Sequence, residues 1–148
     1  MRATANKIPP HHHARRAFVY VRQSTAKQVR ENRAGQENQY ALVERAVALG
    51  WPSERVVVID DDLGQSGQDG QRAGFRELVA AVSLGQVGII FAYEPRLLSP
   101  NDAHWYTLLD LATHSATLIA DVDGIFDPRD YNDRLLLGLR GMLSEAEL

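Results

Sequence analysis

The run Tyr20-Val-Arg22-Gln-Ser24-Thr25 closes a stretch rich in β-forming residues that begins at Ala17. Alternate residues of a strand share a face, so Tyr20, Arg22 and, if the extended run continues, Ser24 are expected to point the same way at the carboxyl edge of a sheet. A serine beside a guanidinium suits phosphoryl transfer, because the cation neutralises non-bridging phosphate oxygens and favours the alkoxide. A second candidate is Asp62-Leu-Gly-Gln-Ser66-Gly67, followed by Arg72-Ala-Gly-Phe75 at a helix start. Glycines let backbone approach a ligand closely, and an arginine there adds charge to the free N–H groups of a first helical turn. Taken singly, each run reads equally as an ordinary strand end or βα loop.

Three further groups have chemical potential. His11, His12 and His13 are adjacent and lack the i, i+3 or i, i+4 pairing that sets two ligands on one helix face, so a loose tail is expected rather than a metal site. Asp60, Asp61 and Asp62 diverge in an extended chain and read as solvated loop acids rather than a magnesium cluster. The run Thr117-Leu-Ile-Ala-Asp121-Val-Asp123-Gly124 resembles the strand-Asp-x-Asp start of haloacid-dehalogenase-type phosphatases, in which the first aspartate is a nucleophile and magnesium sits between the two. That motif opens its fold, whereas here only the segment up to Leu148 follows it. The absence of cysteine excludes disulfides, thiolate catalysis and cysteine-ligated zinc. No cofactor and no metal are expected.

The elements that would position these residues alternate. Strands are expected at 17–22, 55–60, 88–93 and 116–120. Helices are expected at 36–49, where Tyr40, Val43 and Val47 precede Gly50, and at 72–84, where Phe75, Leu78, Val79 and Val82 fall at i, i+3, i+4, i+7. Trp105, Leu108, Leu109 and Ala112 repeat that spacing. Strands separated by helices of this length imply right-handed crossovers. The expected fold is α/β: a three-layer domain with a mainly parallel central sheet of four to five strands, helices on both faces and a long C-terminal helix.

That last helix, capped by Asn132, carries Leu135, Leu136, Leu137, Leu139, Met142 and Leu143 on more than one side. One domain face cannot cover so much apolar surface, so a partner is expected there. The helix reaches Leu148 without a Gly or Pro stop, and the chain is expected to end inside it. The divisions are therefore a flexible leader at 1–16, one folded body at 17–131 and the start of a long helix at 132–148.

The chain has 148 residues, 45% of them hydrophobic and 24% charged, with a net charge of −3. Residues 1–45 hold nine Lys/Arg against three acids, a local +6 that leaves −9 for the rest. A basic end on an acidic body can attract polyanions locally, but the whole is not basic enough for a stand-alone duplex binder. No apolar run is long enough to cross a membrane and none resembles a secretory signal, so a cytoplasmic protein is expected.

Taken together, several blocks carry a resemblance: Tyr20-Val-Arg22-Gln-Ser24-Thr, Gln39, Asp62-x-Gly-x-Ser66-Gly, Arg72-x-Gly-Phe, Gly85-x-Val-Gly, and the closing run from Asn132 to Glu147. In order and spacing they are similar to the resolvase/invertase family of serine recombinases, from about Ala17 onward. The resemblance implies that Ser24 attacks a DNA phosphodiester to leave a 5′-phosphoserine link and a free 3′-hydroxyl, without ATP or metal. It further implies electrostatic roles for Arg22 and Arg72, and site-lining or ordering roles for Tyr20, Gln39, Asp62 and Ser66. The closing helix, with Leu136, Leu139, Met142 and Leu143, would serve a homodimer that becomes a tetramer in synapsis. Double-stranded DNA would be bound through a full-length protein of a prokaryotic or mobile-element host, the DNA-reading region being absent from this chain.

The match fails in one place. After the third strand the family has two arginines that hold the scissile phosphate, and in ungapped register their positions are Leu97 and Pro100 here. Arg96 is one residue early and is a candidate phosphate contact. Ala81 stands where a basic residue is frequent in the family. An alternative reading follows, in which the module is catalytically degenerate and serves assembly or the architecture of a DNA complex.

Overall fold

The structure, a computed structural model, describes residues 8–20, 40–59, 73–92, 102–121 and 124–146, with the backbone alone at 102–105 and 140–146. Five strands form one sheet: β1 (Arg16–Tyr20), β2 (Val56–Ile59), β3 (Val87–Ala92), β4 (Leu118–Ala120) and β5 (Ile125–Phe126). Their spatial order is β2-β1-β3-β4-β5. The pairs β1–β2, β1–β3 and β3–β4 are parallel, and β4–β5 is antiparallel. The expected mainly parallel α/β sheet of four to five strands is thus observed.

The central strands read as continuous apolar runs because both of their faces are covered. Every residue of β3 and residues 17–20 of β1 are buried, whereas Val56, Val57 and Val58 of β2, at the sheet edge, are half-buried. Alternation divides the side chains between two cores. Phe18 and Tyr20 point into one with Ile59, Ile90 and Ala92, and Ala17 and Val19 point into the other with Ile89 and Phe91.

Among the described residues four helices complete the layers: α1 (Leu42–Ala48), α2 (Ala73–Ser83), α3 (Asp102–Ser115) and α4 (Tyr131–Ala146). Helix α1 contributes Leu42 and Ala46 to the second core, next to Trp51. Helices α2 and α3 bury Phe75, Leu78, Val82, Leu108, Leu109 and Ala112 against the first, and α4 adds Leu137. Each fully buried leucine contributes about 1.5–3 kcal/mol by transfer from water. The expected starts of α2 and α1 at 72 and 36–39 lie outside the described residues.

Three local expectations are corrected. Helix α4 is capped by Asp130, not Asn132: Asp130 Oδ2 accepts the Asp133 N–H at 2.9 Å, and Asp130 C=O accepts the first intrahelical bond from Arg134. An aspartate three residues before the bonded N–H is in capping geometry, and Asn132 already lies within the helix. The fourth strand begins at Leu118 instead of Ala116, because Ala116 sits at φ 58° and ends α3 in a left-handed turn.

The third correction concerns the leader, whose residues 8–15 pack against the body. Pro10–Ala14 form a 3-10 turn, Ile8 and His12 are buried, and the loose tail expected from the three histidines is not found over this stretch. In a parallel sheet the helices run back and end at the N-terminal edge, where their last carbonyls need donors. His13 Nε2 donates to Leu49 O at 2.9 Å, His12 Nε2 to Ala116 O at 2.6 Å, and Arg15 to Ser115 O and Val87 O. Two helix C-termini are therefore capped by side-chain N–H donors, and the Arg15 cation also suits the partial negative charge at the end of α3. Gly50, at φ 116°, allows the His13 ring to come close: a Cβ there would stand 2.7 Å from Nε2.

Candidate functional site

Strands β1, β2 and β3 end level. Tyr20 is in register with Ile59 on one side and Ala92 on the other. The chain continues from this one carboxyl edge into 21–39, 60–72 and 93–101, and ligands of open α/β sheets bind at such an edge. Arg22, Ser24, Gln39, Asp62, Ser66, Arg72 and Arg96 all belong to those three stretches and lie outside the described residues, as do Leu97 and Pro100.

Tyr20 is the predicted site residue whose surroundings are described. It is fully buried in the core formed with α2 and α3, and its ring meets Phe75 edge-on with centroids 6.4 Å apart. Phe75 stands in the first turn of α2, three residues after Arg72 in the predicted run. The ring thus couples the end of β1 to the start of α2. A side chain so enclosed can order the strand end and the helix start from beneath.

The Asp121 reading resolves differently. Asp121 is 2% exposed. Its Oδ1 accepts the Gly124 N–H at 3.0 Å, its own N–H donates to Gly124 O, and Arg45 donates to its carbonyl at 2.7 Å. An aspartate bonding the backbone a few residues on is a turn former, and here it closes the β4–β5 hairpin. Among the described residues no group of three His, Asp or Glu is placed to hold a metal ion. The second aspartate, Asp123, lies outside them.

Of the helix residues expected to meet a partner, Leu136 and Leu139 are 46% and 45% exposed, while Met142 and Leu143 lie in α4 with side chains outside the described residues. Sequence reasoning missed the aromatic rim of this surface. Tyr131, Leu135 and Leu139 follow one another at i, i+4, i+8, and with Tyr106 and Leu109 of α3 they line an apolar cavity of about 320 Å³. That spacing was the signal available in the sequence. Arg134 anchors α4 to α3 beside the cavity, donating to Thr113 Oγ1 at 2.6 Å and pairing with Asp110.

The connection that launches α4 is fixed electrostatically. Burial pushes the Asp127 carboxyl up, but side-chain and backbone hydrogen bonds from Arg129 outweigh it and hold Asp127 below its ordinary value. Asp133 in turn accepts the Asp127 N–H at 2.9 Å.

The family described as Resolvase, N terminal domain, matches residues 17–148. An uncharacterized protein of Sinorhizobium fredii, y4bA/y4pH, is 54% identical over 145 residues, 97% of this chain, and the chain spans 21% of that relative's length. The fold is similar to that of the N-terminal catalytic domain of TP901-1 integrase, with a TM-score of 0.63 at 21% identity over 90% of this chain and 96% of that one. It is also similar to the C-terminal catalytic domain of ISC1926 TnpA, an IS607-like serine recombinase, with a TM-score of 0.58 at 21% identity over 87% and 99% of the two chains. A serine recombinase from Sulfolobus solfataricus gives a TM-score of 0.55 at 21% identity, covering 88% of this chain and 81% of that one. At these identities the likeness of the solved structures is one of fold.

Proposed function

The chain belongs to the resolvase N-terminal domain family, and on that premise we propose that it is the catalytic domain of a protein that cuts and rejoins DNA through Ser24. The Ser24 oxygen attacks a backbone phosphorus, the bond from phosphorus to the 3′ oxygen breaks, and that oxygen leaves with a proton. Arg22 and Arg72 stabilise the charge that develops on the phosphate. The serine ester conserves the energy of the broken link, so the strand is resealed by reversal, with no metal or ATP. Gln39, Asp62 and Ser66 line or order the site, and Tyr20 does so from within the core.

The observation that carries this reading is the common ending of β1, β2 and β3. Tyr20, Ile59 and Ala92 stand side by side, and the stretches bearing the serine and the arginines all begin there. Support for an oligomer, a dimer passing to a tetramer in synapsis, comes from the exposed Leu135, Leu136 and Leu139 on α4. Among the described residues no helix is long and apolar enough to cross a membrane, which accords with a cytoplasmic, DNA-associated role.

The test is the trapping of a covalent DNA adduct by the full-length protein on its cognate site. An adduct that disappears in Ser24→Ala supports the chemistry, and an adduct that survives in Ser24→Ala overturns it.

A second reading is favoured by Leu97 and Pro100, which stand where the family has two phosphate-holding arginines. In it the module has little strand exchange left and serves assembly on DNA. Loss of one transition-state donor costs about a hundredfold or more in rate. The double substitution Leu97→Arg, Pro100→Arg should therefore raise cleavage by at least about a hundredfold. Equal cleavage by both proteins would dismiss the degenerate reading.

A further inference from the structure

Residues 8–15 precede the stretch that the family match covers, 17–148, yet they cross the N-terminal edge of the sheet and are tied to it. The ties converge on His12, whose ring is fully buried. Its Nε2–H donates to Ala116 O at 2.6 Å, which leaves Nδ1 with the lone pair, and among the described residues that nitrogen has no hydrogen-bond partner. The ring is thus held in its neutral form. A proton added at Nδ1 would create a buried N–H with no acceptor and a full charge in a desolvated place.

The charged surroundings oppose that proton. Arg15, His11 and Arg129 all act on the ring with like sign, and the His11 ring centroid lies 4.8 Å away. Asp127 is the carboxylate that senses His12, but two hydrogen bonds from the Arg129 side chain already occupy it. Other charged or titratable groups of the surrounding elements include His13, Arg16 at the start of β1, Glu54, Arg55, which donates to His13 O, and His114 near the end of α3.

The segment is also separable. It gives one core Ile8 and gives the other nothing, so the apolar packing of the sheet against α2, α3 and α4 does not include it.

We propose that residues 8–15 are a proton-released clamp: neutral His12 holds the segment across the N-terminal edge of the sheet, and uptake of one proton at Nδ1 frees it while the sheet stays folded. Burial sets the direction of the linkage, holding His12 below its ordinary value of 6.5. A histidine whose folded-state pKa is depressed contributes stability that is complete above the unfolded value and lost as the pH falls through the folded one. Opening should therefore grow about tenfold per pH unit below 6.5, until the folded-state value is passed.

Amide hydrogen exchange on the 148-residue chain, corrected for intrinsic rates, reads this out at the His12 and Arg15 amides, which donate to Pro9 O and His12 O. Between pH 7.5 and 5.5 their protection should fall, by up to about tenfold, while the Ile90 and Ile119 amides of β3 and β4 keep theirs. In His12→Phe the segment should exchange faster but with no acid dependence, and in His13→Gln the acid dependence should remain. Acid dependence that persists in His12→Phe overturns the clamp, as does loss of protection at Ile90 in the same step. Should His12→Phe not fold, the His12 ring titration in the unaltered chain decides. Titration coincident with opening supports the clamp, and titration with the His12 and Arg15 amides still protected refutes it.

Discussion

At the N-terminal edge of the sheet the chain returns from α2 to β3 through residues 84–86 and from α3 to β4 through 116–117. At the carboxyl edge it uses 21–41, 60–72 and 93–101 to pass from strand to helix. The returns at the first edge are short and hydrogen-bonded: Gln86 N–H reaches Ala81 O, Thr117 N–H reaches Ala112 O, and the Thr117 hydroxyl reaches Val87 O. The residues that carry candidate chemistry are all on the long connections of the other edge. Surface connections on a rigid scaffold can change their side chains without disturbing the packing, whereas short hydrogen-bonded returns serve as its fastenings. The difference teaches where each kind of substitution should be felt.

Ser24→Ala should abolish the DNA adduct altogether yet move the unfolding free energy by no more than about 0.5 kcal/mol in urea titration. A large loss of stability in this variant would break the division between the edges. Gly88→Ala should do the reverse. Gly88 is the extra residue of a bulge, since Arg16 pairs with Val87 and Ala17 with Ile89, and its added Cβ would meet the His12 carbonyl at 2.7 Å and Trp51 at 3.2 Å. Forcing the backbone apart should cost about 1–3 kcal/mol in the same titration, with Ser24 chemistry lowered only through the folded fraction.

Asp130→Ala removes the cap of α4 and should cost about 1 kcal/mol. If α4 is the oligomer surface, the variant should also weaken self-association in sedimentation experiments. The smallest effect is at the end of α3. Ala116 holds φ 58°, a left-handed conformation that glycine adopts without steric cost, so Ala116→Gly should stabilise the chain by about 0.5–1 kcal/mol in thermal unfolding. Destabilisation instead would mean that the extra freedom of glycine in the unfolded chain outweighs the relieved strain.

Much of the fold was legible because its signals are local. The i, i+3, i+4, i+7 spacing of Phe75, Leu78, Val79 and Val82 marked α2, and the strand expected at 88–93 is met by β3 at Val87–Ala92, buried throughout. The candidate site is an expectation from residue types in order, Arg22, Ser24, Asp62, Ser66 and Arg72, all of which lie outside the described residues. Other features were read wrongly for want of distant partners. His11-His12-His13 looked like a solvated tail, since nothing near them in the chain reveals that His12 meets a carbonyl 104 residues away and His13 one 36 residues away. The sequence disfavours Asp121 as a nucleophile by its place in the chain, but its role as a turn former shows only once the hairpin closes and its carboxylate meets the Gly124 N–H.

The sequence by itself determined the period of each element and the alternation of strand and helix, and hence a mainly parallel sheet. Periodicity and residue chemistry are properties of neighbours along the chain. Only the tertiary structure decided the strand order, the antiparallel placing of β5, the enclosure of Tyr20 against Phe75 and the fastening of the leader. Each of these depends on pairing between residues far apart in sequence, where burial and unmet carbonyls, not local preference, select the partner.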